Sequence, residues 1–186
     1  FTECSNLESI KVNENNKVYD SRENCNAIIE KSSNTLIVGC KNTKVPSGVT
    51  KIGDGAFWNC SGLTSITLPE SMMVIGSGAF YGCRGLTSIT LPESVTEIGG
   101  FAFAECRTLT NITLPKSVMK IGLGAFSSCG NLESIKVDEN NKVYDSRDNC
   151  NAIIEKSSNK LVIGCKNTKV PSGVTSIGEA AFCGCS

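Results

Sequence analysis

Apolar residues recur along this chain at fixed places in a fixed sentence, at neither helical nor simple strand spacing. "LTSITLPESVTEIGGFAFAEC" (Leu86 to Cys106) stands 23 residues after "LTSITLPESMMVIGSGAFYGC" and 23 before "LTNITLPKSVMKIGLGAFSSC". Leu63, Leu86, Leu109 and Leu132 form one apolar column, and Ile66, Ile89, Ile112 and Ile135 a second. Ile52, Ile75, Ile98 and Ile121 form another, as do Phe57, Phe80, Phe103 and Phe126. Self-similarity at a fixed step of this length is the mark of a repeat architecture.

Each unit resolves into local pieces. Alternation in "ITL" predicts a short strand with Ile and Leu inward and Thr outward. Pro69, Pro92 and Pro115 close that strand, because proline cannot continue a hydrogen-bonded ladder. "VTEI" predicts a second extended edge, with Gly99 in a turn of positive φ. "GGFAFAEC" is too short for a free helix and predicts one helical or 3₁₀ turn that drops Phe103 into the core. One unit cannot bury its own apolar residues, whereas stacked units cover each other column by column. The expected fold is therefore a single repeat solenoid over residues 1–186: mainly β, with short 3₁₀ corners, 23-residue repeats, and a rise of about 4.8 Å per coil.

The residue closing the strand falls at Val12, Val45, Leu68, Leu91, Leu114, Val137 and Val170, so the first and last steps are 33 residues long. A larger period of 125 residues follows: residues 1–61 and 126–186 agree at 48 of 61 positions. In the long modules, about 12–45 and 137–170, "NAIIE" and "TLIVG" predict two strands around the turn-rich "KSSN", a hairpin protruding from the solenoid. Pairing Glu30 with Thr35 sets Cys25 opposite Cys40, and the copy sets Cys150 opposite Cys165. Each pair is a possible disulfide, closing a loop worth about 3 kcal/mol in the chain-entropy model; two free thiols are the alternative.

The pattern "C..L..I.LP.SV..IG..AF..C" resembles the BspA-like leucine-rich repeat family of bacterial cell-surface proteins, over essentially the whole chain. The long module resembles the wider unit that interrupts arrays in gut-bacterial members. The resemblance implies a right-handed leucine-rich-repeat coil and a secreted or surface-anchored interaction protein, with protein or glycan binding in adhesion to host or neighbouring cells.

Composition narrows the chemistry. Eighteen basic and eighteen acidic residues balance, which argues against a nucleic-acid or anionic-membrane partner. No apolar run approaches the roughly 20 residues of a membrane span. There is no histidine, which removes histidine-based acid–base and triad chemistry. No glycine-rich phosphate loop or paired carboxylates appear, so neither catalysis nor a cofactor is expected. The chain opens and closes inside repeats, and is expected to be a fragment of a longer array, with Phe1 to Leu7 and Phe182 to Ser186 mobile or packed on a neighbour.

Six of the eleven cysteines share one column: Cys4, Cys60, Cys83, Cys106, Cys129 and Cys185. A line of cysteines with parallel Cβ vectors suits neither a four-ligand metal site nor a bridge, so small buried fillers are expected. The oxygen-rich "DENNKVYDSRDN" (Asp138 to Asn149) lacks calcium-loop spacing and is read as turn chemistry. Trp58 and Tyr81 share a column, either as an aromatic patch or as covers for the turn beneath. The outward strand positions form the candidate ligand-binding face: Ser65, Thr67, Ser88, Thr90, Asn111 and Thr113. Solenoids bind through such faces; a merely solvated face, in a spacer that presents another domain, is the competing reading.

Overall fold

A computed structural model describes residues 7–185. It is a β-solenoid, with 3₁₀ segments only at Arg22–Asn24 and Arg147–Asn149 among the described residues. Thirteen short strands follow in chain order. They are β1 (Tyr19–Asp20), β2 (Ile28–Glu30), β3 (Thr35–Val38), β4 (Lys51–Ile52), β5 (Val74–Ile75), β6 (Glu97–Ile98), β7 (Asn111–Leu114), β8 (Lys120–Ile121), β9 (Ser134–Val137), β10 (Tyr144–Asp145), β11 (Ala152–Glu155), β12 (Lys160–Gly164) and β13 (Ser176–Ile177).

The longest sheet lies on the "VTEI" edge. Its order is β1-β2-β3-β4-β5-β6-β8, antiparallel through the first hairpin and parallel from β3 onward. The second long module builds its own sheet, β10-β11-β12-β13, so strand pairing breaks after β8. The "ITL" edge alternates as expected: Ile66, Leu68, Ile89, Leu91, Ile112 and Leu114 are buried, and the residues between them exposed. Only β7 and β9 pair there as strands. In the earlier coils this edge is tied more sparsely, through contacts such as Thr87 N–H to the Thr64 carbonyl.

The expected 3₁₀ corner is a run of reverse turns closed by i→i+3 bonds, such as Ala104 N–H to Phe101 O and Cys106 N–H to Phe103 O. The same corner is also laddered between coils. Phe57 N–H donates to Ala79 O, Phe80 N–H to Ala102 O and Phe103 N–H to Ala125 O, at 2.7–2.8 Å. Turns that would ordinarily bond to water are thereby satisfied by the next coil, which lets an irregular corner be buried. Gly99 does not take positive φ. Its role is close approach, since a Cβ there would lie 2.5 Å from Ser77 N. The left-handed residues come two positions later in the repeat, at Gly55, Gly78, Phe101 and Gly124.

Four phenylalanines stack in a column at the centre of the core. Phe57, Phe80, Phe103 and Phe126 lie 5.1–5.3 Å apart, centroid to centroid, and within 11° of parallel. Below the first ring, Gly39 of β3's strand end leaves the space, since a Cβ there would meet the Phe57 ring at 2.1 Å. Gly164 does the same under Phe182.

The hairpins depart from expectation in two ways. Ala27, Ile29 and Leu36 are fully buried in the main core, so the first hairpin is built into the solenoid and does not simply protrude. β3 takes the place of a coil strand, pairing Leu36 with Ile52. Glu30 does pair with Thr35, but the register shifts between Ile28 and Ile29, so that Ile28 faces Val38. That bulge moves Cys25 one residue out of step with Cys40, and the same irregularity between Ile153 and Ile154 separates Cys150 from Cys165. All four are free thiols in the structure. Cys40 Sγ donates to Asn26 O and Cys25 Sγ to Ala27 O.

Candidate functional site

The candidate face stands on the "ITL" edge. Alternation sends Ile and Leu into the core, and so must send their neighbours outward. Ser65, Thr67, Ser88, Thr90, Asn111 and Thr113 are all exposed, in two files across three successive coils. A recess of about 240 Å³ opens among the later coils, with Thr90, Asn111 and Thr113 on its wall, Ile89 and Leu91 beside them, and Glu93 and Asp138 at its polar margin. Three of the six candidate residues therefore share one concavity, whereas Ser65, Thr67 and Ser88 lie outside it. Asn111 is held by a bond from its Nδ2 to Thr110 Oγ1.

A second recess, of about 370 Å³, was not evident from the sequence. It lies at the cysteine corner and is lined by Glu105, Arg107, Ser128, Asn131 and two glycines. The Arg107 guanidinium meets Glu105 at 2.6 Å, and Arg84 approaches the same carboxylate at 3.9 Å. These residues come from different coils and carry no repeating motif. The only sequence signal was a charge at the position after the cysteine, Arg84 and Arg107.

The cysteine column is buried at Cys60, Cys83, Cys106 and Cys129, while Cys4 lies outside the described residues. Three of these thiols also have a bonding role: Cys83 donates to Phe57 O, Cys106 to Phe80 O and Cys129 to Phe103 O, at 3.1–3.2 Å. Burial pushes their acidities down, raising Cys60 to about 11 and Cys129 to about 12, with Cys83 and Cys106 higher still. Such thiols are poor nucleophiles at neutral pH. Among the described residues, no three His, Cys, Asp or Glu side chains come together as a metal site.

The oxygen-rich stretch is occupied by its own backbone. Asn141 Oδ1 accepts from Val143 and Tyr144 N–H, and Asp138 Oδ1 accepts from Asn140 N–H. Arg147 binds both oxygens of Asp145 and also Asn159 Oδ1, fastening the corner to the hairpin turn. Burial raises the Asp145 carboxyl, but the bonds to Arg147 outweigh it and hold it below its ordinary range.

Trp58 and Tyr81 stack at 4.1 Å, and Trp58 also covers Gly78, where a Cβ would lie 2.7 Å from its ring. Both readings of this pair hold at once. Phe101 is the residue that pattern reasoning overlooked. It is exposed, with φ of 54° at a position held by Gly55, Gly78 and Gly124 in the other 23-residue coils and by Ala180 in the last. An aromatic side chain in a glycine column was the available signal.

A family model described as a BspA type leucine rich repeat region, in six copies, matches residues 27–152 and 152–186. The chain belongs to this family of leucine-rich repeat solenoids. Among solved structures, it is similar to a leucine rich cell surface protein of Faecalibacterium prausnitzii, at 28% identity and a TM-score of 0.73, covering 100% of this chain and 48% of that one. A leucine-rich repeat protein of Eubacterium ventriosum follows at 27% identity and 0.61, covering 76% and 44%. The pneumococcal vaccine antigen PcpA shares the fold, at 21% identity and 0.66, covering 93% and 37%. The chain thus spans less than half the length of each of these proteins. Comparison with curated protein sequences finds no match.

Proposed function

We propose that this chain is a non-enzymatic binding module of an extracellular or cell-surface bacterial protein, engaging a protein or glycan ligand on host or neighbouring cells. The supporting observation is the exposure of all six polar side chains of the "ITL" edge in unbroken files, with a recess at Thr90, Asn111 and Thr113. The wall of this recess is short hydroxyl and amide groups with apolar neighbours, which suits many modest contacts over a broad area. The likeness to a protein described as a cell surface protein supports the location.

The test is replacement of Thr67, Thr90 and Thr113 by Glu, followed by binding to epithelial cells and to an immobilised glycan panel. The reading expects binding of the unaltered chain and its loss in the variant, with the circular dichroism spectrum unchanged. Binding that survives the variant would leave a spacer that presents another domain as the better account.

A further inference from the structure

The recess at Thr90, Asn111 and Thr113 traces to one proline. At the end of β7 the Leu114 carbonyl takes the Asp138 N–H at 2.9 Å, and the ladder from β7 to β9 closes along all four residues. One coil earlier Pro115 stands at the place of Asp138, and a proline has no N–H to give. The Leu91 carbonyl is therefore left without a main-chain donor from the coil that follows it. The two edges are joined at their start, by Thr110 N–H to Thr87 O at 3.4 Å, and among the described residues no further bond links Ile89–Leu91 to β7. The coils part there, and the recess of about 240 Å³ is the gap between them.

The chemistry of this gap is one-sided. Leu91 and Pro115 both line it, and the Leu91 carbonyl accepts no hydrogen bond among the described residues. Glu93, from the coil before Pro115, and Asp138, from the coil after, bring two carboxylates to the same recess. Neither carboxylate is in an ion pair among the described residues. Asp138 commits Oδ1 to Asn140 N–H, which leaves its second oxygen to the recess. Lys116, the base adjoining Pro115, is exposed and stands outside the wall. The hydroxyls of Thr90 and Thr113 accept as readily as they donate. A carbonyl and two carboxylates around a narrow gap call for a ligand that supplies several donors and a positive charge.

We infer that this recess, within the face proposed above for ligand binding and resting on that reading, receives an arginine side chain of a partner polypeptide. The guanidinium carries five donors in a fixed fork, enough for the Leu91 carbonyl and both carboxylates at once. Its methylene stem lies along Ile89, Leu91 and Pro115. A neutral sugar would meet the carbonyl and the hydroxyls but leave both carboxylates uncompensated, and an acidic one would be repelled. The gap holds one side chain and no more, so it selects a residue, while Ser65, Thr67 and Ser88 outside it supply the remaining contacts of a broad interface.

NMR titration of the isotope-labelled chain with N-acetyl-arginine amide tests this, with N-acetyl-citrulline amide as the uncharged control and glucosamine and N-acetylglucosamine as the sugar arms. Arginine is expected to shift the amides of Thr90, Asn111 and Thr113 saturably, with citrulline and both sugars at least about tenfold weaker. Glu93→Gln with Asp138→Asn keeps an acceptor for Asn140 N–H, and so folds, as circular dichroism checks. It is expected to weaken arginine at least about tenfold. Pro115→Ala restores the missing N–H, draws the edges together on the Leu91 carbonyl and is expected to weaken arginine as well. Absence of arginine shifts at these amides, a sugar that binds as tightly, or affinity indifferent to both variants would overturn the inference. The cell-binding test separates it from the reading beneath it. Binding lost when Thr67, Thr90 and Thr113 become Glu, but kept by Glu93→Gln with Asp138→Asn, sinks the arginine and leaves the face. No binding by the unaltered chain sinks the face itself.

Discussion

The two long modules are almost the same sequence in two settings. The second follows a coil and the first, among the described residues, has none before it. Tyr144 is 5% exposed and its copy Tyr19 37%; Asn141 is fully buried and Asn16 exposed. The following coils reverse the contrast, with Phe57 at 1% and Phe182 at 38%. Local conformation does not follow these differences. Ser21 and Ser146 share φ near −127°, both hairpins carry the same bulge, and the Asp–Arg pairs Asp20–Arg22 and Asp145–Arg147 recur. A module's shape is thus written in its own residues, whereas its burial, and with it most of its energy, comes from the neighbour.

The strongest way to break that comparison is at the ring column. Phe57→Ala should cost about 3–5 kcal/mol and Phe182→Ala about 1 or less, because only the first opens a cavity. Thermal or urea unfolding of the two variants checks it, and equal losses would refute it. Next comes the asparagine. Asn141→Ala takes the side-chain donor from the Val118 carbonyl and the acceptor from Val143 and Tyr144 N–H in a sealed junction, while Pro115 O keeps Val118 N–H, a loss of about 3 kcal/mol. Asn16→Ala removes only an exposed turn bond, for about 1 kcal/mol. Tyr144→Phe and Tyr19→Phe form a finer pair. The first deletes the acceptor for Ile121 N–H at a cost of about 1 kcal/mol, and the second should be silent in unfolding measurements.

The thiols are where the two modules should agree. Counting with dithionitrobenzoate on unfolded, unreduced protein should give eleven free thiols; about seven would restore a bridge in each module. The column cysteines add a pH dependence with a definite sign. Burial raises their folded pKa values above the ordinary thiol value of 9.0, so the neutral form is the one favoured. That contribution is complete below pH 9 and is lost as pH climbs from there through about 11 for Cys60 and about 12 for Cys129. Replacing Cys60 and Cys129 by Ala should flatten the alkaline limb of a stability–pH curve, leaving the neutral region only modestly changed.

The repeat made the solenoid legible, because each apolar column covers itself only when coils stack. The outward Ser, Thr and Asn files were legible for the same reason, since alternation leaves them no other side. The recess at Thr90, Asn111 and Thr113 was not, because its margin is completed by Asp138, from the following coil. Both edges were legible as extended chain, but not which of them carries the longer ladder. "ITL" has the better strand propensity, but the continuous ladder runs through "VTEI", where glycines bring successive backbones close. The serines of "LPES" and "LPKS" lie outside the apolar columns. Ser71, Ser94 and Ser117 each donate to a carbonyl of the preceding coil, and at the long module Asn141 takes over that bond. Their column was visible in the sequence, but nothing local says that a serine's partner lies 22 residues back.

The break in strand pairing after β8 has a mechanical meaning. Every bond between coils runs along the solenoid axis, so a pull on the two ends loads one coil boundary at a time and opens the array like a zip. Each freed 23-residue coil pays out roughly 75 Å of chain. At the boundary where Asn141 and Tyr144 stand in for a strand, the bonds move to the other edge, where β7 and β9 pair in full. Load passing along the solenoid therefore changes edge at that point, from the "VTEI" ladder to the "ITL" one.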